Sequence, residues 1–260
     1  MHWHCHDLFQ RMPAGATAGG VAVVIDVLRA STTMITALAS GAAAVWPVAD
    51  VDEARALARR LGPRAILGGE RGGVMIEGFA LGNSPTEYVR DRIGGHDVVL
   101  TTTNGTAALA ACAAAAETLV GAIVNRRAVA AAVRTLGAAR GLHHAHLVCA
   151  GTDGSVTAED VLAAGAILDA AAADPGAAAD TLDAAAERAI AAFRQLVAAA
   201  PSLTPETTAA ALVAAFRTSP GGANLVDLGM ASDLPVCARL DAVPVVPRLE
   251  RTTGRAVVFG

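Results

Sequence analysis

Carboxylates, arginines and hydroxyls gather at four points of the chain, and each point follows a short apolar run. The four segments are DVLRASTT (26–33), GGERGG (68–73), TTTNGT (101–106) and AGTDGSVTAED (150–160). Guanidinium groups recognise phosphate, sulfonate or carboxylate, and carboxylate oxygens suit hard cations such as Mg²⁺. The residue types therefore indicate a site for a small anion with a metal ion beside it.

The first segment combines an acid, a base and hydroxyls. Asp26 ends an apolar run, where a carboxylate can meet a metal, and Arg29 follows three residues later. Ser31, Thr32 and Thr33 open the next helix, where hydroxyls and free N–H groups can hold an anion. The alternative is a structural ion pair between Asp26 and Arg29.

The second and third segments offer further polar groups. Glu70 and Arg71 stand between two glycine pairs, and the alternative there is a flexible turn with solvated charges. Asn83-Ser84 is either an ordinary helix cap or a second anion contact. The run of residues Thr102, Thr103, Asn104, Gly105 and Thr106 leads into an alanine-rich helix and predicts an anion site, or else a plain N-cap.

The fourth segment carries acids in the first turn of a predicted helix. Glu159 and Asp160 are favoured there by the helix dipole in any case, and one of them is also a candidate Mg²⁺ ligand or general base. Cys149 ends the preceding strand, and we expect it to pack or to line the backbone. His2, His4 and His6 have the residue type of metal ligands, but we expect a plain edge strand or terminal segment there.

These residues need a scaffold, and the hydrophobic pattern predicts one. Apolar β-branched runs at 21–27, 44–48, 65–69, 97–103, 118–124 and 144–151 alternate with helical stretches. We predict an α/β fold with a mostly parallel sheet and helices on both faces. Three helices (177–200, 205–217 and 222–231) should follow without a strand between them, and then short late strands at 243–247 and 256–260. The predicted division is 1–175 for the sheet region with the site motifs and 176–260 for the helical block, packed on the same domain.

Composition excludes several classes. The 260 residues are 53% hydrophobic and 17% charged with net charge −4, which argues against a disordered chain and against a basic nucleic-acid binder. The sequence also predicts no signal peptide and no membrane span. Four cysteines lie far apart, so we expect neither a zinc site nor a disulfide framework but a reduced cytoplasmic protein. The oligomeric state, including a homo-oligomer, is left open.

Taken together, the motifs DVLRASTT, GERGG with GFALGNSP, TTTNGT and CAGTDGSVTAED resemble the 2-phosphosulfolactate phosphatase family in order and spacing. A C-terminal piece, LVDLGMASDLPVCARLDAVPVVP, resembles the end of that family. The resemblance covers about residues 20–247. It implies a Mg²⁺-dependent phosphatase that converts 2-phosphosulfolactate to sulfolactate and phosphate, a step that in archaea belongs to coenzyme M synthesis.

The resemblance also implies a set of site residues. Catalytic roles fall to Asp26, Arg29, Glu70 and Arg71. Substrate contacts fall to Ser31, Thr32, Thr33, Asn83, Ser84, Thr102, Thr103, Asn104, Gly105, Thr106, Cys149 and Gly151. The candidate metal ligands are Asp26, Glu70, Glu159 and Asp160, and the resemblance leaves open which of them bind.

The chain departs from the family pattern in two places. Gly72 stands where members often have Asn, and 219–224 stands where a more basic stretch is usual. Two other functions are therefore considered: a phosphomonoesterase for another small phosphorylated acid, and a non-catalytic protein that binds small anions. Retention of Asp26, Glu70 and the acids at 159–160 argues against the non-catalytic binder.

Known phosphatase signatures are absent. Cys149 is followed six residues later by Ser155, not by the Arg of a cysteine phosphatase. Asp26 is followed two residues later by Leu28, so the Asp-x-Asp motif of aspartyl phosphatases is missing. The Arg-His-Gly motif of histidine phosphatases does not occur either. The remaining mechanism is Mg²⁺-assisted attack, with Arg29 or Arg71 and the helix N-termini as further groups that bind the phosphoryl oxygens. The nucleophile is either water activated by a carboxylate or a carboxylate itself.

Overall fold

The computed structural model describes residues 1–260 and contains one large sheet flanked by helices. The strands are β1 (His2–His6), β2 (Val21–Ile25), β3 (Ala44–Pro47), β4 (Ala65–Arg71), β5 (Val74–Met75), β6 (Asp97–Thr101), β7 (Glu117–Gly121), β8 (His144–Cys149), β9 (Thr181–Leu182), β10 (Pro247–Leu249) and β11 (Ala256–Val258). The helices are α1 (Ala30–Ala39), α2 (Val51–Leu61), α3 (Arg90–Ile93), α4 (Gly105–Ala111), α5 (Arg126–Arg140), α6 (Ala158–Ala172), α7 (Ala184–Ala198), α8 (Pro205–Thr218), α9 (Pro220–Asp227) and α10 (Asp233–Cys237).

The sheet is mostly parallel, as the sequence predicts, and its order is β5-β4-β6-β3-β11-β10-β7-β2-β8-β1-β9. One parallel block contains β4, β6 and β3, and the other contains β7, β2, β8, β1 and β9. The antiparallel pair β10–β11 joins them through one residue pair on each side. Because three successive pairings are antiparallel, the two blocks run in opposite directions. The sequence pattern contains no signal for this reversal.

Helices cover both faces of the sheet, and the side chains of β2 show why. All five residues of β2 are buried, as expected for a central strand covered on both sides. Val21, Val23 and Ile25 belong to one core cluster, whereas Ala22 and Val24 belong to the other. This alternation follows the two-residue period of a strand.

The C-terminal segment contributes to the same core and the same sheet. Phe193 of α7 and Phe216 of α8 lie in one cluster with Leu147 of β8. The predicted division at 175/176 stays a prediction. None of the helices has the length and apolar composition needed to cross a bilayer.

Two local expectations are wrong. The helix predicted over 177–200 begins at Ala184, because Asp183 caps it at the N–H of Ala186 and the preceding Thr181–Leu182 pairs with β1. Because β9 pairs with β1, the histidine segment 2–6 is the terminal segment that the sequence predicts but not the edge strand of the sheet. The late strand expected at 243–247 lies at Pro247–Leu249.

Candidate active site

A polar cleft lies where β2, β4, β6 and β8 end, so the structure brings residues of all four sequence segments together. It is lined by Asp26, Leu28, Arg29, Glu70, Gly72, Gly73, Asn83, Thr103, Asn104, Thr152, Asp153, Gly221, Asn224 and Leu225. Among these lining residues are three carboxylates and one guanidinium. The cleft therefore carries excess negative charge before any ligand enters.

Asp26 follows β2 directly and is only 8% exposed. Its Oδ1 accepts a hydrogen bond from the N–H of Ala30 at 3.2 Å. Burial, and then the neighbouring Glu70 and Glu159 carboxylates, raise the pKa of Asp26 to about 7. The alternative, an ion pair between Asp26 and Arg29, is not observed, since Arg29 binds a different acid. Asp26 thus faces the cleft without a cationic partner.

The start of α4 approaches Asp26 closely. A Cβ at residue 105 would lie 2.5 Å from Ala30 Cβ and 2.7 Å from Asp26 Oδ2, so Gly105 is required for this approach. The backbone N–H groups of Asn104 and Gly105 have no acceptor within the protein. Free N–H groups at a helix start bind anions. An anion held there would lie beside Asp26.

Glu70 also lines the cleft and is fixed there by three hydrogen-bond donors. Its Oε1 accepts from the N–H of Thr103 at 2.7 Å, and its Oε2 accepts from the N–H of Gly73 at 2.7 Å and the hydroxyl of Thr103 at 3.1 Å. These bonds tie the end of β4 to the end of β6. They hold a buried carboxylate in one orientation at the cleft.

Arg29 is 3% exposed and is held by residues distant in sequence. Its Nη1 donates to Asp233 Oδ2 at 2.7 Å and its Nη2 donates to the Gly73 carbonyl at 2.9 Å. Asp233 Oδ1 accepts from the Ser84 hydroxyl at 2.7 Å. Ser84 therefore supports Asp233 and does not line the cleft. Sequence reasoning missed Asp233, although the family-like piece SDLP contains it.

Arg71 lies outside the cleft, contrary to its predicted catalytic role. Its guanidinium donates to the carbonyls of Glu70 and Ala49 and to the Thr101 hydroxyl. The side chain therefore crosses the strands on the exposed side. Successive residues of a strand point to opposite faces, so Glu70 and Arg71 cannot both enter the cleft from β4.

Most of the hydroxyl groups that are predicted to contact the substrate also lie outside the cleft. Ser31, Thr32 and Thr33 donate to the backbone carbonyls of residues 24, 27 and 83. Thr102 and Thr106 bond to each other across the first turn of α4. These five side chains do not line the cleft, because their hydroxyls satisfy backbone groups, whereas Thr103 and Asn104 do line it.

The acids of α6 lie behind the cleft wall. Asp160 accepts the N–H of Val27 at 2.8 Å with one oxygen and the N–H of Gly151 at 2.9 Å with the other. Burial raises the pKa of Asp160 well above its ordinary range. Both of its oxygens are occupied by backbone groups, so Asp160 and Gly151 tie strand ends together and are not cleft residues.

Glu159 and Cys149 are buried without lining the cleft. The Oε2 of Glu159 has no hydrogen-bond partner, and a Cβ on Gly221, which does line the cleft, would lie 2.5 Å from its Oε1. Burial raises the pKa of Glu159. Cys149 is fully buried, and its pKa lies well above the ordinary value because of a hydrogen bond with Cys5 and burial. A thiol in that environment is not a nucleophile.

No three His, Cys, Asp or Glu side chains form a metal-binding group in the structure. The cleft itself still fits Mg²⁺, which takes one or two carboxylates and completes its shell with water and substrate oxygens. Asp26 and Glu70 both reach the cleft. The Oδ1 of Asn83, which also lines it, is buried without a partner. The donor set is therefore hard oxygen.

The C-terminal helices complete the wall. Gly221, Asn224 and Leu225 of α9 line the cleft, and Asn224 Nδ2 lies 3.4 Å from the carbonyl of Gly72. The two places where the sequence departs from the family pattern thus meet across the cleft. No spacing signal in the sequence connects residues this far apart.

The chain is similar to known proteins over nearly its whole length. The chain matches the family model described as 2-phosphosulpholactate phosphatase over residues 7–252. It is 39% identical over 248 residues to a probable 2-phosphosulfolactate phosphatase of Symbiobacterium thermophilum, covering 95% of this chain and 97% of that protein. A protein of the same name from Carboxydothermus hydrogenoformans is 36% identical over 236 residues, covering 91% and 89%.

A third relative matches a shorter part of the chain at a higher sequence identity. The probable 2-phosphosulfolactate phosphatase of Caldicellulosiruptor saccharolyticus is 45% identical over 148 residues, which is 57% of this chain and 61% of that protein. The family model and the two nearly full-length relatives together cover the cleft and the C-terminal helices that close it. The chain therefore belongs to the 2-phosphosulpholactate phosphatase family.

Proposed function

We propose that this protein is a Mg²⁺-dependent phosphatase that hydrolyses 2-phosphosulfolactate to sulfolactate and inorganic phosphate. The observation that carries the proposal is the arrangement at the cleft. Two buried carboxylates, Asp26 and Glu70, stand beside the free N–H groups of Asn104 and Gly105. Family membership supplies the reaction class.

Charge balance supports a divalent cation. Asp26, Glu70 and Asp153 line the cleft with Arg29 as the only base, and Asp233 already balances the charge of Arg29. A phosphoryl dianion entering this cleft would be repelled unless a cation stood between it and the carboxylates. Asp26, Glu70 and the side-chain Oδ1 of Asn83 are the groups that would hold Mg²⁺. When bound, the ion would supply neutralisation of the phosphoryl oxygens.

The residues of the chain have separate tasks in this proposal. The N–H groups at the start of α4 and the guanidinium of Arg29 bind the phosphoryl oxygens and orient them. Glu70, held by three donors, keeps the β4 and β6 ends at a fixed separation. Asp26 either holds the cation or acts as the nucleophile, and in both roles its charge is essential.

A second candidate substrate class has a specific observation in its favour. The α9 wall of the cleft presents Gly221, Asn224 and Leu225, and none of these is basic. A sulfonate placed against that wall would find no cation from α9. The alternative is therefore a phosphomonoester of another small acid, hydrolysed by the same groups.

Phosphate release from a panel of substrates tests the proposal. Purified protein with Mg²⁺ is given 2-phosphosulfolactate, phospholactate and the phosphoglycerates, and kcat/KM is compared. A clear preference for 2-phosphosulfolactate supports the proposal, and equal or better turnover of a carboxylate analogue supports the alternative. Failure to release phosphate from any of them would refute both and favour a non-catalytic anion binder.

We also propose that the protein acts in the reducing cytoplasm. All four cysteines are free and buried, so the fold uses no disulfide. A connection to coenzyme M synthesis is part of the same proposal only if 2-phosphosulfolactate is the preferred substrate.

A further inference from the structure

A stack of five imidazoles lies on the sheet away from the cleft. His2, His4 and His6 of β1 share one face, and in parallel register they meet His144 and His146 of β8. Neighbouring rings have centroids 4.7–5.5 Å apart in the order His2, His144, His4, His146, His6. We call this set the imidazole ladder. None of its rings lines the cleft.

Two cross-strand pairs in the ladder bring ring nitrogens face to face. His4 Nε2 lies 3.0 Å from His144 Nδ1, and His6 Nε2 lies 3.2 Å from His146 Nδ1. Two nitrogens bound to one metal ion at about 2.0–2.1 Å, with an angle of about 90–110°, lie about 2.8–3.4 Å apart. The spacing of both pairs therefore matches that of two imidazole ligands on one ion.

Asp183 distinguishes the His4 pair from the other. Its Oδ2 lies 3.5 Å from His4 Nδ1, the ring nitrogen that faces away from His144. The carboxylate is itself fixed, since it caps α7 at the N–H of Ala186 and accepts from the N–H of Cys5. A carboxylate at this position favours the proton on Nδ1 and leaves the Nε2 lone pair free, as in carboxylate–histidine–metal arrangements.

We infer that His4 and His144 form a bidentate site for a divalent transition-metal ion of the Cu²⁺, Ni²⁺ and Zn²⁺ class, with Asp183 orienting His4. No third His, Cys, Asp or Glu side chain completes the group, so water supplies the other ligands. Imidazole nitrogen selects these metals over Mg²⁺, which prefers oxygen. The expected order of affinity places Cu²⁺ first.

Binding of the metal ion to this pair releases no net proton. Before binding, the hydrogen bond between the two rings needs one lone pair and one N–H. With His4 Nε2 as the lone pair, His144 Nδ1 carries the proton. On binding, that proton moves to Nε2 of the exposed His144 ring, so both facing nitrogens become ligands.

Copper binding to the intact protein tests the inference. Cu²⁺ is titrated with Mg²⁺ present in excess, by calorimetry and by electron paramagnetic resonance of the bound ion. We expect one tight equivalent with the hyperfine pattern of two equatorial imidazole nitrogens. His144→Gln should weaken this binding at least tenfold, and Asp183→Asn should weaken it by about 10–100-fold, since an outer-shell partner typically contributes that much.

Matched variants make the result decisive. His143→Gln changes an exposed histidine beside the ladder and should leave binding unchanged. Asn at 183 still caps α7, which keeps the fold intact. As a second readout, Cu²⁺ should raise the unfolding temperature of the wild type but not of His144→Gln. The inference is overturned if His144→Gln binds copper as tightly as the wild type, or if His2→Gln alone abolishes binding, which would assign the ion to the N-terminal amine and His2.

Discussion

The loop after β2 and the first turn of α6 each carry a buried aspartate, and the two differ in how their oxygens are used. Asp160 accepts a backbone N–H with each oxygen, from Val27 and from Gly151. Asp26 accepts one backbone N–H, and the carboxylate lines the cleft. A carboxylate whose bonds are complete holds the strand ends in place, whereas a partly bonded one at a cleft is free for a ligand. From this comparison we propose a structural role for Asp160 and a chemical role for Asp26.

Asp26→Asn should produce the largest change. The substitution keeps the size of the side chain and removes its charge, so we expect a fall in kcat of roughly 100-fold or more, the scale of losing one key electrostatic contact in the transition state. Circular dichroism and the unfolding temperature should stay close to those of the wild type. If the folded variant kept near-native turnover at an ordinary Mg²⁺ concentration, that result would contradict the assignment of Asp26 to the site.

Asp160→Asn should mainly lower stability. An amide has one acceptor oxygen, so one of the N–H groups of Val27 and Gly151 would face an amide donor and lose its partner. The expected loss is about 1–3 kcal/mol in the free energy of unfolding. Urea denaturation measures it, with Asp174→Asn as a control at an exposed acid. An unchanged midpoint would show that these two bonds do not hold the strand ends.

Arg29 and Arg71 are both predicted to be catalytic, but the structure predicts different results when each is replaced by lysine. Arg29→Lys loses the two-pronged contact to Asp233 and Gly73 and should lower kcat/KM by about tenfold, because lysine cannot reproduce a planar fork. Arg71→Lys, on the exposed side of β4, should change kcat/KM by less than about threefold. Equal losses in both variants would contradict the placement of Arg71 outside the cleft.

The smallest expected effect is on the pH dependence of stability. The folded protein holds a proton on Asp26 up to about pH 7, whereas an unfolded aspartate loses it near its ordinary pKa of about 4. Between these values the folded state binds more protons, so the contribution of Asp26 to stability falls as pH rises. In EDTA, the unfolding temperature of Asp26→Asn relative to the wild type should therefore rise by a few degrees from pH 5 to pH 8.

Comparing the variant with the wild type isolates the contribution of Asp26. Burial also lowers the pKa of His146 to about 4, so protonation of the histidines changes stability with pH in the opposite direction. Both proteins contain the same histidines, so their contribution cancels. Thermal scans at four pH values are sufficient. A temperature difference that does not change with pH would mean that Asp26 is ionised throughout this range.

The sequence predicts which residues lie at the ends of strands, but it does not predict the direction in which their side chains point. Asp26, Glu70 and Thr103 could be predicted because each follows an apolar strand, and strand ends of an α/β sheet carry ligand sites. Arg71 and the hydroxyls of Ser31, Thr32 and Thr33 have suitable chemistry but bond to backbone groups, which only tertiary structure decides. Asp233, Gly221 and Asn224 come from helices far along the chain. Their placement depends on packing and on the reversed strand blocks, for which local patterns hold no signal.

The central claim is that a divalent cation must stand between Asp26 and the phosphoryl group. The most direct test is phosphate release from 2-phosphosulfolactate by protein stripped with EDTA, before and after Mg²⁺ is restored. We predict that release stops in EDTA and returns with Mg²⁺, because the cleft lacks a free cation of its own. Full activity in EDTA, or activation by Zn²⁺ alone, would contradict the account.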